Sequence, residues 1–133
     1  MESQPSNLYP LSKFDQLLAD IFVSCKDLST YKGGEYAGDV DRLANFRRNA
    51  DAMGMDMVQI WAVYYAKHHD SIMQYVKDIA KGKDRKRLEA LEDRALDMMV
   101  YLSLFIAIID ETQGGEVAQR IHNQANIIKA SNN

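Results

Sequence analysis

Apolar residues recur at three- and four-residue intervals through most of this chain, and no stretch shows the period-two alternation of a strand. The pattern predicts an all-α fold, an antiparallel helical bundle of three long helices with a short helix after a glycine-rich joint and a C-terminal helix. Ser12 caps a first helix over about 12–29, with Phe14, Leu17, Leu18, Ile21, Phe22, Cys25 and Leu28 inward. A short helix starts at Asp39 or Asp41, turns Leu43, Phe46, Ala50 and Met53 inward, and stops at Gly54. Asp56 and Gln59 form a capping-box pattern that opens a third helix to about residue 80, with Val58, Trp61, Ala62, Tyr65, Ile72, Val76 and Ile79 as its inner face. A fourth helix covers about 84–112 and Gly114-Gly115 break it. Glu116 begins the last helix, whose narrow stripe of Val117, Ile121 and Ile128 makes it a candidate for contact between subunits. The expected organisation is a leader over 1–11, one helical domain over 12–130 and a tail over 131–133.

The joint between the first two helices departs from this plain pattern. The stretch YKGGEYAGDVDRLANFRR, residues 31–48, holds three of the chain's seven glycines. Lys32, Glu35, Tyr36, Asp41, Arg42 and Asn45 crowd into it. Glycine lets backbone approach a ligand closely, and arginine, lysine and asparagine are the usual tools for phosphates and bases. The stretch lacks the G-x-x-x-x-G-K-[ST] spacing of a P-loop. It therefore reads as half of a site for a small anion, a nucleotide, with the other half on the third and fourth helices.

Composition narrows the partners. The net charge of −3 argues against duplex nucleic acid, whose nonspecific binding needs a basic surface. One cysteine, Cys25, excludes an internal disulfide and reads as a small buried hydrophobe. The apolar run 98–109 lies between Asp97 and Asp110 and is too short to cross a bilayer. With no secretory pattern in residues 1–10, the expectation is a soluble intracellular protein with no membrane partner.

The fourth helix supplies acid. Glu89, Asp93 and Asp97 are spaced four apart, with Glu92 beside them, so all share one face. Such carboxylates can hold Mg²⁺ or simply pair with Lys86, Arg87 and Arg94. Asp97 stands at the mouth of an apolar segment, where a carboxylate needs a cation, and Tyr101 follows one turn on. On the third helix, Lys67 follows the run VQIWAVYYA and should emerge at a pocket rim; His68 and His69 point about 100° apart and do not suit one shared metal.

The succession K-x-x-E-Y, D-R-x-x-N-F, K-H and D-x-x-x-Y resembles small phage-encoded helical proteins. These look related to the all-α nucleoside triphosphate pyrophosphohydrolases of the MazG and dimeric dUTPase type, and to the phage nucleotide-modification-associated domain. The matching residues are Lys32, Glu35, Tyr36, Asp41, Arg42, Asn45, Phe46, Lys67, His68, Asp93, Asp97 and Tyr101, within roughly residues 28–112. The resemblance implies a nucleotide or cyclic-nucleotide ligand, a homo-oligomer with sites between subunits, and a place in the cytoplasm of a phage-infected bacterium. It implies ligand contacts from Lys32, Glu35, Tyr36, Arg42, Asn45, Lys67, His68 and Tyr101, and Mg²⁺ held by Asp93 and Asp97 with Glu92 or Asp70. The family pattern is E-x-x-E on one helix and E-x-x-D on the next. Here the third helix offers only Asp70, and the fourth has Asp93-x-x-x-Asp97. Two activities fit: Mg²⁺-dependent cleavage of a nucleoside triphosphate, or a sponge that sequesters nucleotide immune signals unchanged. A helical interaction protein without a small ligand is the third expectation.

Overall fold

The computed structural model describes residues 7–38, 40–83 and 90–132. Five α-helices follow in order: α1 Leu11–Tyr36, α2 Ala44–Met53, α3 Met57–Ala80, α4 Leu91–Thr112 and α5 Glu116–Ser131. Among the described residues there is no strand. No helix among them is long and apolar enough to cross a membrane. The predicted start of the fourth helix, Glu89 with its neighbours Lys86 and Arg87, and Asp39 lie outside the described residues.

α4 is the central element and packs against α1, α3 and α5, while α2 packs on α3. Its run of apolar residues lets it face several partners at once. Val100, Leu104 and Ile108 are buried there with Leu43, Phe46 and Ala50 around α2 and Ile60 of α3. Cys25, Leu28, Trp61, Tyr64 and Tyr101 close around this cluster, half-buried. Burial pushes the Cys25 thiol up, away from reactive thiolate. The Trp61 indole N–H donates to the Tyr101 carbonyl at 2.6 Å, tying α3 to α4.

Several local signals act where the sequence puts them, although Ser12 lies inside α1, whose N-cap is Pro10 with no side-chain cap. Gly54 adopts φ 64° and ends α2. The Asp56 and Gln59 capping box is formed, with Gln59 Oε1 accepting the Asp56 N–H at 2.9 Å. Gly114 and Gly115 take positive φ between α4 and α5, and Asp110 accepts the Ala118 N–H at 2.7 Å, satisfying one of α5's free donors. Asp41 does not begin α2; its carboxylate accepts the Leu43 N–H at 3.0 Å in the turn before it. Arg47 reaches from α2 to both Asp41 and Glu111, clasping the start of α2 to the end of α4. The guanidinium holds both carboxyls below their ordinary range.

Three expectations change. The glycine-rich joint is helix: α1 runs through Gly33 and Gly34 to Tyr36. Tertiary packing overrides the glycine penalty, because Gly33 is buried against Arg42. The inner face of α3 is turned from the one expected: Ile60, His68 and Asp78 are buried, and Val58, Ala62, Val76 and Ile79 are exposed. Apolar residues surround this helix, so their spacing does not single out one face, and two of the buried residues are polar. The first half of α1's apolar stripe is only partly covered, with Phe14, Leu17 and Phe22 exposed and Leu18 and Ile21 half-buried.

Candidate functional site

Where α1 and α2 meet α3 and α4, the helices enclose a cavity of about 820 Å³, open on one side to solvent. That is the size of an ordinary small-molecule site. α1 contributes one helical stripe, Ser24, Asp27, Leu28, Tyr31, Lys32 and Tyr36. Arg42, Asn45 and Phe46 come from the turn before α2 and its first turn, and Lys67 and His68 from the middle of α3. α4 supplies Asp93, Arg94, Asp97 and Tyr101 over a floor that includes Val100 and Leu104. Nine residues proposed from the sequence thus converge within one chain: Lys32, Tyr36, Arg42, Asn45, Lys67, His68, Asp93, Asp97 and Tyr101.

Three others do not join them. Glu35 is exposed and is not part of the cavity wall. Asp70 stands in solvent beside His69, and Glu92 is exposed at the start of α4. Ser24, Asp27, Tyr31 and Arg94 line the cavity without having been singled out as ligand residues. Ser24 and Asp27 precede Tyr31 at spacings of three and four, and Arg94 lies one turn before Asp97; helical spacing from Tyr31 and Asp97 was the available signal.

The polar groups are arranged unevenly. Lys32 Nζ donates to Asp97 Oδ1 at 3.0 Å, so the buried carboxylate already has a cation. Arg94 Nη1 lies 3.2 Å from His68 Nδ1. A guanidinium has only donors, so Nδ1 accepts and the imidazole is neutral with its proton on Nε2. Burial pushes His68 down as well, against the opposing pull of Asp97. The 3.7 Å approach of His68 Nδ1 to Asp97 Oδ2 is therefore no ion pair. Tyr101 packs 5.2 Å from the His68 ring. Burial raises its phenol first, with Asp97 and Tyr64 adding to the effect, so it remains an O–H donor.

Arg42 and Asn45 are different. The Arg42 Nε and the Asn45 Oδ1 are buried and have no hydrogen-bond partner among the described residues. Burial lowers Arg42's pKa, yet a guanidinium stays charged in proteins. One donor and one acceptor on two residues of the cavity wall are thus left unsatisfied, each carrying a desolvation cost of about 1–3 kcal/mol. Gly33 makes this placement possible: a Cβ there would stand 2.6 Å from Arg42 Nε and 3.0 Å from its Cδ. No side chain but hydrogen fits between α1 and that guanidinium.

The donor set does not make a Mg²⁺ site by itself. Asp93 and Asp97 both reach the cavity, but Asp97 is engaged by Lys32. Among the described residues no three His, Cys, Asp or Glu side chains stand close enough together to hold a metal ion. Mg²⁺ is commonly held by one or two carboxylates only when substrate phosphates complete the shell.

Set beside known proteins, the chain matches no family model, no curated protein and no solved structure.

Proposed function

We propose that this protein binds a small nucleotide, linear or cyclic, in the cavity between α1, α2, α3 and α4, and holds it unchanged without a metal ion. The observation that carries this reading is the unpartnered pair Arg42 Nε and Asn45 Oδ1, buried in the wall of a cavity of ligand size. The Arg42 guanidinium offers donors for a phosphate oxygen, and the Asn45 amide an acceptor for a base amine or ribose hydroxyl. Lys67 adds positive charge at the wall, and Tyr31, Tyr36 and Tyr101 offer aromatic faces for a base. The Lys32–Asp97 pair supports metal-free binding, since the carboxylate most suited to Mg²⁺ already has a cation. In the phage setting that the sequence resembles, such a protein acts as a sponge for nucleotide immune signals. The expected homo-oligomer and cytoplasmic location belong to the same reading.

A thermal-shift panel of linear and cyclic nucleotides, with and without Mg²⁺, tests it. The expected result is a shift with at least one nucleotide in EDTA, and intact ligand after denaturation. No shift with any of them leaves a helical interaction protein without small ligand. Altered ligand released only with Mg²⁺ points to the second reading, a pyrophosphohydrolase, which the presence of both Asp93 and Asp97 in the wall favours.

The two helical glycines make a matched control. Gly34 has open space where a Cβ would go, whereas Gly33 has Arg42. Gly34→Ala is expected to stabilise the protein by about 0.5–1 kcal/mol, the usual gain for a helix interior, and to leave nucleotide affinity unchanged. Gly33→Ala is expected to displace the Arg42 guanidinium and cut affinity roughly tenfold or more. Urea denaturation and calorimetric titration of both variants check the contrast; equal affinities would detach Gly33 from the site.

A further inference from the structure

α1 carries more apolar surface than its own chain covers. Leu11, Phe14, Leu18, Ile21, Cys25 and Leu28 fall at alternating spacings of three and four, the seam of a heptad repeat. The lower end of this seam, Cys25 and Leu28, packs on the core. The upper end continues on the same face with less cover among the described residues: Leu11 is 74% and Phe14 47% exposed, while Leu18 and Ile21 are half-buried. Leu17 and Phe22 flank the seam and are also exposed, which widens the face. A helix of 26 residues is about 39 Å long, and its contacts with the core, Cys25 and Leu28, lie in its second half.

The whole chain shows the same deficit. A compact protein of 15.1 kDa exposes about 7,100 Å². This chain exposes 10378 Å². Even if each of the 14 residues outside the described segments is given the surface of extended chain, roughly 165 Å², an excess of about 1,000 Å² remains. A stable interface takes about 800 Å² from each partner.

The chemistry of the face selects its occupant. Over residues 11–28, Lys13 and Lys26 stand against Asp15, Asp20 and Asp27. A helix lying on anionic lipid or on nucleic acid needs a polar face rich in lysine and arginine, which this one lacks. A near-neutral apolar seam of heptad spacing fits another helix of the same kind, and a two-fold pair lets one patch cover its own copy. We infer that the first half of α1 is an interface with a second copy of this chain, centred on Leu11, Phe14, Leu18 and Ile21.

Sedimentation velocity on the full chain tests this, from low micromolar concentration upward. The wild type is expected at the mass of two chains or more. Phe14→Glu and, separately, Leu11→Glu are expected to shift it to a single chain with the helical circular dichroism retained, because both side chains are already exposed in one chain. Val63→Glu on α3, also an exposed apolar position and outside the cavity wall, is expected to leave the assembly intact. A wild type that stays single throughout overturns the inference, as do α1 variants that assemble like the wild type. So does a wild type that stays single and co-sediments with phosphatidylserine vesicles through Phe14.

Discussion

Arg42→Ala is expected to weaken nucleotide binding roughly ten- to hundredfold, the equivalent of about 1.5–3 kcal/mol for a hydrogen bond made by a charged group. The same substitution should leave the unliganded protein no less stable. Arg42 Nε is a buried donor without a partner among the described residues, so its removal lifts a desolvation cost that the empty site bears. Asn45→Ala should behave likewise, since Asn45 Oδ1 is an orphan acceptor and alanine is the better helix former near the start of α2. Opposite signs for affinity and stability are the signature of a residue held in readiness for a ligand. Calorimetric titration with the tightest nucleotide from the panel, together with thermal melts of the free protein, would show it. Variants that melt well below the wild type and bind as well as it does would make both residues structural.

Phe46→Ala should be the most damaging single truncation in the described core. Its ring is 1% exposed, and it packs 6.0 Å from the Tyr64 ring. Removing a buried phenylalanine costs about 3–5 kcal/mol through lost burial and the cavity left behind. Domains of this kind have only about 5–15 kcal/mol in total, so a melting point lower by roughly 10–20 °C is the expected outcome. Phe46 also forms part of the cavity wall, so the damage extends to binding. Phe46→Leu, which keeps most of the volume, should recover much of both. A melt within a few degrees of the wild type for the alanine variant would show that the ring is not central to the core.

The helices were legible because burial forces apolar residues into register with the helical turn. Gly54, the Asp56–Gln59 box and Gly114-Gly115 marked boundaries that the structure keeps. Where the sequence misled, a contact between distant segments decided the outcome. Gly33-Gly34 looked like a breaker, but the space beside Gly33 is taken by Arg42 from the turn before α2, and the helix continues. α3 offers apolar residues all round, and the face it buries includes His68 and Asp78, which no apolar count selects. The candidate site was more readable. Asp97 and Lys67 are charged residues set against apolar runs, where burial calls for partners, and Lys32, Arg42 and Asn45 crowd a glycine-rich stretch unlike the plain helices around it. Asp70 and Glu92 were added to complete a set of metal ligands, and helix rotation leaves both in solvent. Ser24 and Asp27 lie on an otherwise ordinary helical turn, so nothing in their own neighbourhood set them apart.

Gly33 and Gly34 also bear on motion. Each glycine in a helix interior costs about 1 kcal/mol relative to alanine, and these two sit together just before the last residues of α1. The hydrogen bonds of that final turn therefore cost less to break than those of a turn without glycine. Local opening can begin there without melting the rest of the helix. The turn bears Tyr36, a wall of the cavity, next to Lys32, the counterion of Asp97. The residue that makes room for Arg42 thus also loosens the turn beside it, which gives a ligand a way in and out through fraying of a helix end while α2, α3 and α4 stay in place.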